Sequence, residues 1–112
     1  MKEFNLQTGR IGEVIAKEFL KNKGYEIIEQ NYRTKYVEID LLAKKNQEII
    51  LVEVRTKIGE NFGSPEESLT KKKLKKLWFN AQIVKATRID AVCVVLKQDH
   101  SVERIEHYEN II

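Results

Sequence analysis

Two segments of the chain place hydrophobic residues three to four positions apart, which is the period of an amphipathic α-helix. In residues 9–23, Ile11, Ile15 and Phe19 recur four apart. Gly24 follows this segment and supplies a typical C-terminal stop. We therefore predict a first helix over residues 9–23.

The second helical segment begins beside a run of lysines. Thr70 is a suitable N-cap before this run. Ser64-Pro65-Glu66-Glu67 also fits a capping box, so we expect a short turn ahead of the long helix. The predicted apolar stripe of this helix consists of Leu74, Leu77, Trp78, Ala81 and Val84.

Strand patterns occupy most of the remaining chain. The close spacing of residues 25–33, 37–45 and 48–57 predicts antiparallel hairpins. Residues 89–96 form a nearly continuous apolar run, typical of a strand buried on both faces, and residues 102–110 are predicted to be a terminal edge strand. The expected fold is α/β, with the order α-β-β-β-α-β-β and a mixed sheet flanked by helices.

Length and composition fit a single domain over residues 1–112, with 42% hydrophobic and 33% charged residues. No segment is apolar enough for a membrane span, and the N-terminus lacks the apolar region of an export signal. The single cysteine, Cys93, excludes an intrachain disulfide and is expected in the core. These features favour the cytoplasm.

Acidic residues interrupt two predicted strands at positions where core residues are expected. Along residues 48–57, one face is apolar as far as Leu51 and then carries Glu53, Arg55 and Lys57. A solvated face would be polar throughout, and a buried face would be apolar throughout. The change therefore predicts a strand that leaves the core at the floor of a cleft. The alternative is that Glu53 is a surface residue or half of an ion pair with Arg55 or Lys57.

The preceding strand carries Glu38 and Asp40 on one face. If the two strands pair about a turn at residue 46, counting places Asp40 near Glu53, where like charges would repel each other. A divalent cation would turn this repulsion into binding, since Mg²⁺ favours a few carboxylates together with waters and phosphate oxygens. Glu13 on the first helix is expected to point at the same cleft.

This ordered set of residues resembles a known group of proteins. An Asp in one strand, Glu-x-(Lys/Arg) in the next and a preceding helix with Glu resemble the PD-(D/E)XK nuclease superfamily. The closer resemblance is to the YraN-type family of small bacterial proteins, which are similar to archaeal Holliday-junction resolvases. The resemblance covers nearly the whole chain through Gly9-Arg10-Ile11-Gly12-Glu13, Gly24-Tyr25, Asn31-Tyr32-Arg33, Glu38-Ile39-Asp40-Leu41, Val52-Glu53-Val54-Arg55-Thr56-Lys57, Phe62-Gly63, Lys73 and Arg88-Ile89-Asp90.

The resemblance implies a restriction-endonuclease-like core that hydrolyses phosphodiester bonds of DNA, including branched or damaged DNA, with Mg²⁺ or Mn²⁺. It implies that Asp40 and Glu53 bind the metal and that Glu13 supports catalysis. We predict Glu38 as a further metal ligand. Arg55 occupies the position at which the superfamily usually has lysine. Arginine can stabilise phosphate charge but stays protonated, so it cannot act as a general base.

Basic residues are the predicted nucleic-acid contacts. They are Lys57, Lys73, Arg10, Arg33, Lys72 and Lys76. Because the net charge is only +3, this prediction depends on the local lysine cluster in residues 70–76 and not on the whole chain.

Two other functions are compatible with the sequence. One is a catalytically silent nucleic-acid-binding module for repair or recombination, which Arg55 favours. The other is a structural or protein-interaction role, which predicts no binding of divalent metal. The resemblance to dimeric resolvases also makes a homodimer an expected option.

Overall fold

Two helices and five strands form the fold, and their order agrees with the predicted α-β-β-β-α-β-β. The computed structural model describes residues 2–112, and the side chains from residue 6 onward. The elements are α1 (Lys2–Asn22), β1 (Glu26–Arg33), β2 (Glu38–Lys45), β3 (Glu48–Ile58), a 3₁₀ helix (Pro65–Ser68), α2 (Lys71–Val84), β4 (Arg88–Leu96) and β5 (Val102–Tyr108).

The five strands form one mixed sheet in the order β1-β2-β3-β4-β5. The pairs β1–β2 and β2–β3 are antiparallel, which confirms the predicted hairpins. The pair β4–β5 is antiparallel as well. The strands β3 and β4 are parallel, and the chain passes through α2 between them. As predicted, β4 is buried along nearly its whole length and β5 lies at the edge.

The first helix begins at Lys2 and not at residue 9, so the predicted start was wrong. The apolar stripe that suggested the helix starts only at Ile11. Residues 2–8 contain neither proline nor glycine, so nothing in this segment stops the helix from extending towards the N-terminus.

Each face of the sheet supports a separate core layer. The layer under α1 consists of Ala16, Leu20, Tyr25, Leu41, Ala43, Ile50, Val52, Val54, Val92, Val94 and Leu96. The layer under α2 consists of Val37, Ile39, Leu51, Leu77, Ala81 and Ile89. Cys93 is buried, as predicted. Neither helix is long and apolar enough to cross a membrane, within the part of the chain that the structure describes.

Both of the predicted starts before α2 are present. The Ser64 Oγ accepts the Glu67 backbone N–H at 3.4 Å and caps the 3₁₀ helix. The Thr70 Oγ1 accepts the Lys73 backbone N–H at 3.2 Å and caps α2. The predicted apolar stripe needs one correction, because Trp78 is largely outside the core.

Gly12 lies where α1 closely approaches Thr56 of β3. A methyl group at Gly12 would come within 2.8 Å of the Thr56 Cβ, whereas one at Gly9 would have nothing within 4 Å. We expect Gly12→Ala to lower the free energy of unfolding by about 1–3 kcal/mol through overpacking. Gly9→Ala should raise it by roughly 0.5–1 kcal/mol, since alanine loses less entropy in a helix. Urea denaturation measures both, and equal stability of the two variants would contradict this packing.

Candidate functional site

The sheet forks at Asp40. The β2–β3 ladder runs from Lys45↔Glu48 to Leu41↔Val52, and continuing this register places Asp40 across from Glu53. At this point the Val54 N–H donates to the Asp40 Oδ2 at 2.9 Å instead of to a β2 carbonyl. β2 nevertheless stays paired with β1 as far as Glu38. The strands β1–β2 therefore separate from β3–β4, and the two acids lie where they part.

Three carboxyl groups interact at this fork. Glu53 is buried, at 3% exposure. Burial and the neighbouring Glu53 raise the pKa of Asp40 to about 8, and Glu13 adds to the rise. Burial also raises the pKa of Glu13, where the Glu53 charge acts in the same direction and a hydrogen bond with Asn31 opposes it. Burial and the repulsion between like charges therefore both favour the protonated forms of Asp40 and Glu13.

Two basic side chains contact Glu53. The Lys73 Nζ, from the first turn of α2, lies 3.2 Å from the Glu53 Oε2. The Arg55 guanidinium lies 3.2 Å from the same oxygen and donates a second hydrogen bond to the Ser68 Oγ at 2.7 Å. Glu53 therefore forms an ion pair with Arg55, as one interpretation of the sequence expects. Arg55 also lines an open cavity, as the cleft interpretation expects. The Thr70 Oγ1 accepts the Lys73 N–H and so fixes the first turn of α2. Among the lysines of residues 70–76 whose contacts the structure describes, Lys73 is the one that pairs with an acid of the fork.

Asn31 is a site residue that sequence reasoning missed. It lies between Gln30, paired with Leu41, and Tyr32, paired with Ile39, and so it faces Asp40. Its φ of 49° is left-handed, a conformation that asparagine tolerates better than most residues. Its side chain bonds Glu13. A bulge between Ile27 and Glu29 shifts the pairing of β1 by one residue, so that Asn31 comes to lie opposite Asp40. The sequence pattern does not show this bulge.

Open cavities lie on both sides of Glu13, and both are also lined by Gly9. The larger, of about 630 Å³, is lined by Leu6, Gly9, Arg10, Glu13, Asn31, Tyr32, Arg33, Glu38, Ile39 and Asp40. The smaller, of about 360 Å³, is lined by Thr8, Gly9, Glu13, Val54, Arg55, Thr56, Lys57, Pro65 and Ser68. We call the two together the cleft. Arg10 and Arg33 therefore lie on one side of the acids, and Lys57 lies on the other.

The remaining predicted site residues lie further out. Glu38 is exposed at the mouth of the larger cavity, where its Oε1 lies 2.9 Å from the Arg33 Nη2. Lys72 and Lys76 are exposed on α2 and line neither part of the cleft. The structure thus brings Glu13, Asp40, Glu53, Arg55 and Lys73 together and leaves these three at the periphery.

A second polar cluster surrounds the fully buried Asp90 on β4. Its carboxylate accepts two hydrogen bonds from Arg88, at 2.9 and 2.8 Å, and one from the Asn110 N–H at 2.9 Å. The His107 Nε2 lies 2.8 Å from the Asp90 Oδ2, and the Lys23 Nζ lies 2.6 Å from the His107 Nδ1. Since an ammonium group only donates, Nδ1 accepts and Nε2 donates to Asp90. His107, to which the sequence pattern assigns no role, is a buried hydrogen-bond partner.

Asp90, His107 and Glu109 are also the only three potential metal ligands within 4.8 Å of one another among the described residues. Arg88 already neutralises two of them, since it lies 2.8 Å from Asp90 and 3.6 Å from Glu109. The hydrogen bonds outweigh burial and lower the pKa of Asp90. This cluster is a satisfied structural network.

The raised pKa of Asp40 predicts a pH-dependent stability. Folded Asp40 keeps its proton up to about pH 8, whereas the unfolded group releases it near 3.8. The contribution of Asp40 to the free energy of unfolding is therefore complete below pH 4. It is lost as the pH rises to 8, at up to about 1.4 kcal/mol per pH unit. We expect Asp40→Asn to remove this slope in EDTA, as measured by urea denaturation at several pH values. Parallel profiles for wild type and variant would exclude the raised pKa.

The fold and cleft define an α/β protein with a forked mixed sheet and a carboxylate cluster flanked by basic side chains. The sequence model described as "Uncharacterised protein family UPF0102" matches residues 12–94. This chain belongs to that family, and the predicted resemblance to a family of small bacterial proteins is confirmed.

Relatives in several bacteria support the assignment. A UPF0102 protein of Caldanaerobacter subterraneus subsp. tengcongensis is 37% identical over an alignment of 120 positions, gaps included, which covers 98% of each chain. One from Persephonella marina is 39% identical over 82% of this chain and 86% of its own. One from Clostridium botulinum (strain Loch Maree / Type A3) is 43% identical over 70% of this chain, and the match spans 64% of that relative's length.

Proposed function

We propose that this protein is a Mg²⁺- or Mn²⁺-dependent endonuclease that hydrolyses phosphodiester bonds of DNA in the cleft. The observation that carries this proposal is the convergence of Glu13, Asp40 and Glu53 at the fork, with Lys73 and Arg55 in contact with the same cluster. Acids repel DNA, so a site built from both charges suits a substrate phosphate that binds together with a cation.

The donor set at the fork fits a hard divalent cation. Asp40 and Glu53 offer carboxylate oxygens. Burial and the charge of Glu53 both raise the pKa of Asp40, so an added positive charge would relieve the repulsion between the two acids. Asp40 and Glu53 would hold the ion. Glu38, the third proposed ligand, lies at the periphery beside Arg33 and would have to leave that ion pair to join them. When bound, such an ion activates water and stabilises charge on phosphate oxygens.

The protein's own side chains would orient the reactants. Glu13, fixed by Asn31, lies between the two parts of the cleft and can accept a hydrogen bond from water. Arg55 is fixed by Glu53 and Ser68, so it would contact a phosphate without rearrangement. Lys73 supplies from α2 the amine that position 55 lacks. Arg10, Arg33 and Lys57 would bind backbone phosphates along the cleft, which positions DNA without reading its sequence.

The test is cleavage of labelled linear, flapped and four-way-junction DNA by wild type, with Mg²⁺, Mn²⁺ or EDTA. We expect metal-dependent cutting that is lost in Asp40→Asn. Asp99→Asn is the matched control, because Asp99 is exposed in the β4–β5 turn. Metal-independent cutting, or equal cutting by both variants, would overturn the proposal.

Sedimentation of the same samples tests the proposed homodimer, and cell fractionation tests the proposed cytoplasmic location.

Lys73 and Lys76 allow a matched comparison within α2. We expect Lys73→Met to lower the rate at saturating DNA by about 10²-fold, because Lys73 lies at the acids. Lys76→Met should instead raise KM by a few-fold and leave the saturated rate unchanged, since Lys76 is exposed and outside the cleft. Steady-state kinetics on the preferred DNA separates the two, and equal effects on KM alone would assign both lysines to binding.

The second candidate is a catalytically silent nucleic-acid-binding module. It is favoured by one observation: both Arg55 and Lys73 already neutralise Glu53, so the acid has partners without a metal. This candidate predicts DNA binding that is unchanged by EDTA and no cutting of any substrate. If neither binding nor cutting occurs, the acids revert to a structural role.

A further inference from the structure

An aromatic pair on the outer side of α2 lies largely outside both core layers. Trp78 is 44% exposed and Phe79 is 52% exposed. Their rings meet edge to face with centroids 5.2 Å apart. An open apolar cavity of about 350 Å³ beside them is lined by Leu74, Lys75, Trp78, Phe79, Ile111 and Ile112. Exposed aromatic surface of this kind is typical of binding sites.

The charge around this pair is of one sign. Residues 70–85 carry lysine at 71, 72, 73, 75, 76 and 85, and they contain no Asp or Glu. A second copy of the chain docked by two-fold symmetry on this helix would place lysines against lysines. The charge therefore favours an anionic partner that also has flat apolar surfaces.

The distribution of lysine and aromatic residues along α2 favours a nucleic acid over a membrane surface as the partner. A helix that lies in a membrane interface has an apolar face along its length with a charged face opposite. Here the lysine run occupies the first half of the helix, and Trp78 and Phe79 follow it along the axis. Lys73 in the first turn of α2 contacts Glu53 at the fork, so α2 leads from the acids to the aromatic pair.

We propose that Trp78 and Phe79 stack against unpaired bases of a single-stranded nucleic-acid segment whose phosphates contact Lys72, Lys75 and Lys76. This inference rests on the proposed function for the path of the strand into the cleft. Aromatic stacking accepts any base, and lysines along the backbone supply affinity without sequence preference. The substrate class is DNA with an unpaired segment beside the cut, such as a flap or a frayed branch. An intact duplex hides the base faces that these side chains need.

The position of the tryptophan permits a direct test, because Trp78 is the only one in the chain. In EDTA, where no metal-dependent cutting occurs, we expect oligothymidine of about 20 nucleotides to quench Trp78 fluorescence. A blunt duplex of the same length should quench it far less. Raising the salt concentration should reverse the quenching, as expected for lysine–phosphate contacts.

Variants then separate stacking from charge. Anisotropy of labelled oligothymidine should show about 10-fold weaker binding for Trp78→Ala and for Phe79→Ala. Duplex binding should change by less than about 2-fold. Ile83→Ala is the matched control, since Ile83 is an exposed apolar residue on the same helix beyond the aromatic pair. Circular dichroism checks that each variant is folded, and two aromatic variants keep the test valid if one is not.

The outcomes distinguish this inference from the proposed function. Quenching and aromatic-dependent binding without any cleavage by wild type would support stacking and overturn the nuclease. Cleavage by wild type with unchanged binding of both aromatic variants would overturn stacking and retain the nuclease. Absence of quenching by oligothymidine, with a fluorescence blue shift on phosphatidylglycerol vesicles, would assign the pair to a membrane surface and also overturn the inference.

Discussion

Asp90→Asn is expected to lower the free energy of unfolding by roughly 3–5 kcal/mol, the cost of removing one partner from a buried ion pair. Asp90 is fully buried and accepts hydrogen bonds from Arg88, His107 and the Asn110 N–H. Asparagine keeps the shape but not the charge, so the largely buried guanidinium of Arg88 is left without its main partner. Thermal unfolding should show a decrease in Tm of at least about 10 °C.

The dependence on pH gives this prediction a second readout. The lowered pKa of Asp90 means that its stabilisation is present above the unfolded value of 3.8 and is lost only as the pH falls through the lower folded value. The deficit of Asp90→Asn should therefore persist at every pH above about 4. The pH dependence of the stabilisation by Asp40 has the opposite sign, because the pKa of folded Asp40 is raised. Asp99→Asn, at an exposed turn, should change stability by less than about 0.5 kcal/mol. An Asp90→Asn variant as stable as this control would show that the network contributes nothing.

Much of the fold could be predicted because local rules and tertiary structure agree. The nearly continuous apolar run of residues 89–96 is typical of a strand buried on both faces, and β4 is that strand. The Thr70 cap fixed where α2 begins. The start of α1 could not be predicted, since the stripe from Ile11 marks burial against the sheet and not the extent of helical backbone.

The candidate site divides along similar lines. The change from apolar to charged at Glu53 and the count that pairs it with Asp40 were visible in the sequence, because both follow from strand alternation. The proximity of Lys73 to Glu53 depends on how α2 crosses the sheet, which no local pattern encodes. Asn31 depends on a bulge in β1, and His107 depends on a pairing across β4–β5. Helical periodicity placed Trp78 in the core, although a helix on one face of a sheet buries a narrower stripe.

Glu53→Gln is expected to lower metal-dependent DNA cleavage by at least about 10²-fold, the effect of removing one group that organises transition-state charge. Binding of the same DNA in EDTA should become tighter. Gln removes a buried negative charge, so Lys73 and Arg55 are no longer neutralised by Glu53 and attract phosphate more strongly. Both cations are about one-third exposed, so they reach solvent and the fold should tolerate the change.

The opposite direction of the two readouts is what separates a catalytic acid from a structural one. If Glu53 were only structural, Glu53→Gln would lower both DNA cleavage and DNA binding, in proportion to the fraction of the variant that is unfolded. Glu103→Gln removes the same charge from an exposed position on β5 and should leave both unchanged. If wild type does not cut and Glu53→Gln still binds DNA more tightly, the cleft is a nucleic-acid-binding surface whose affinity the buried acid restrains. If Glu53→Gln cuts at the wild-type rate, the acids at the fork do not carry the reaction.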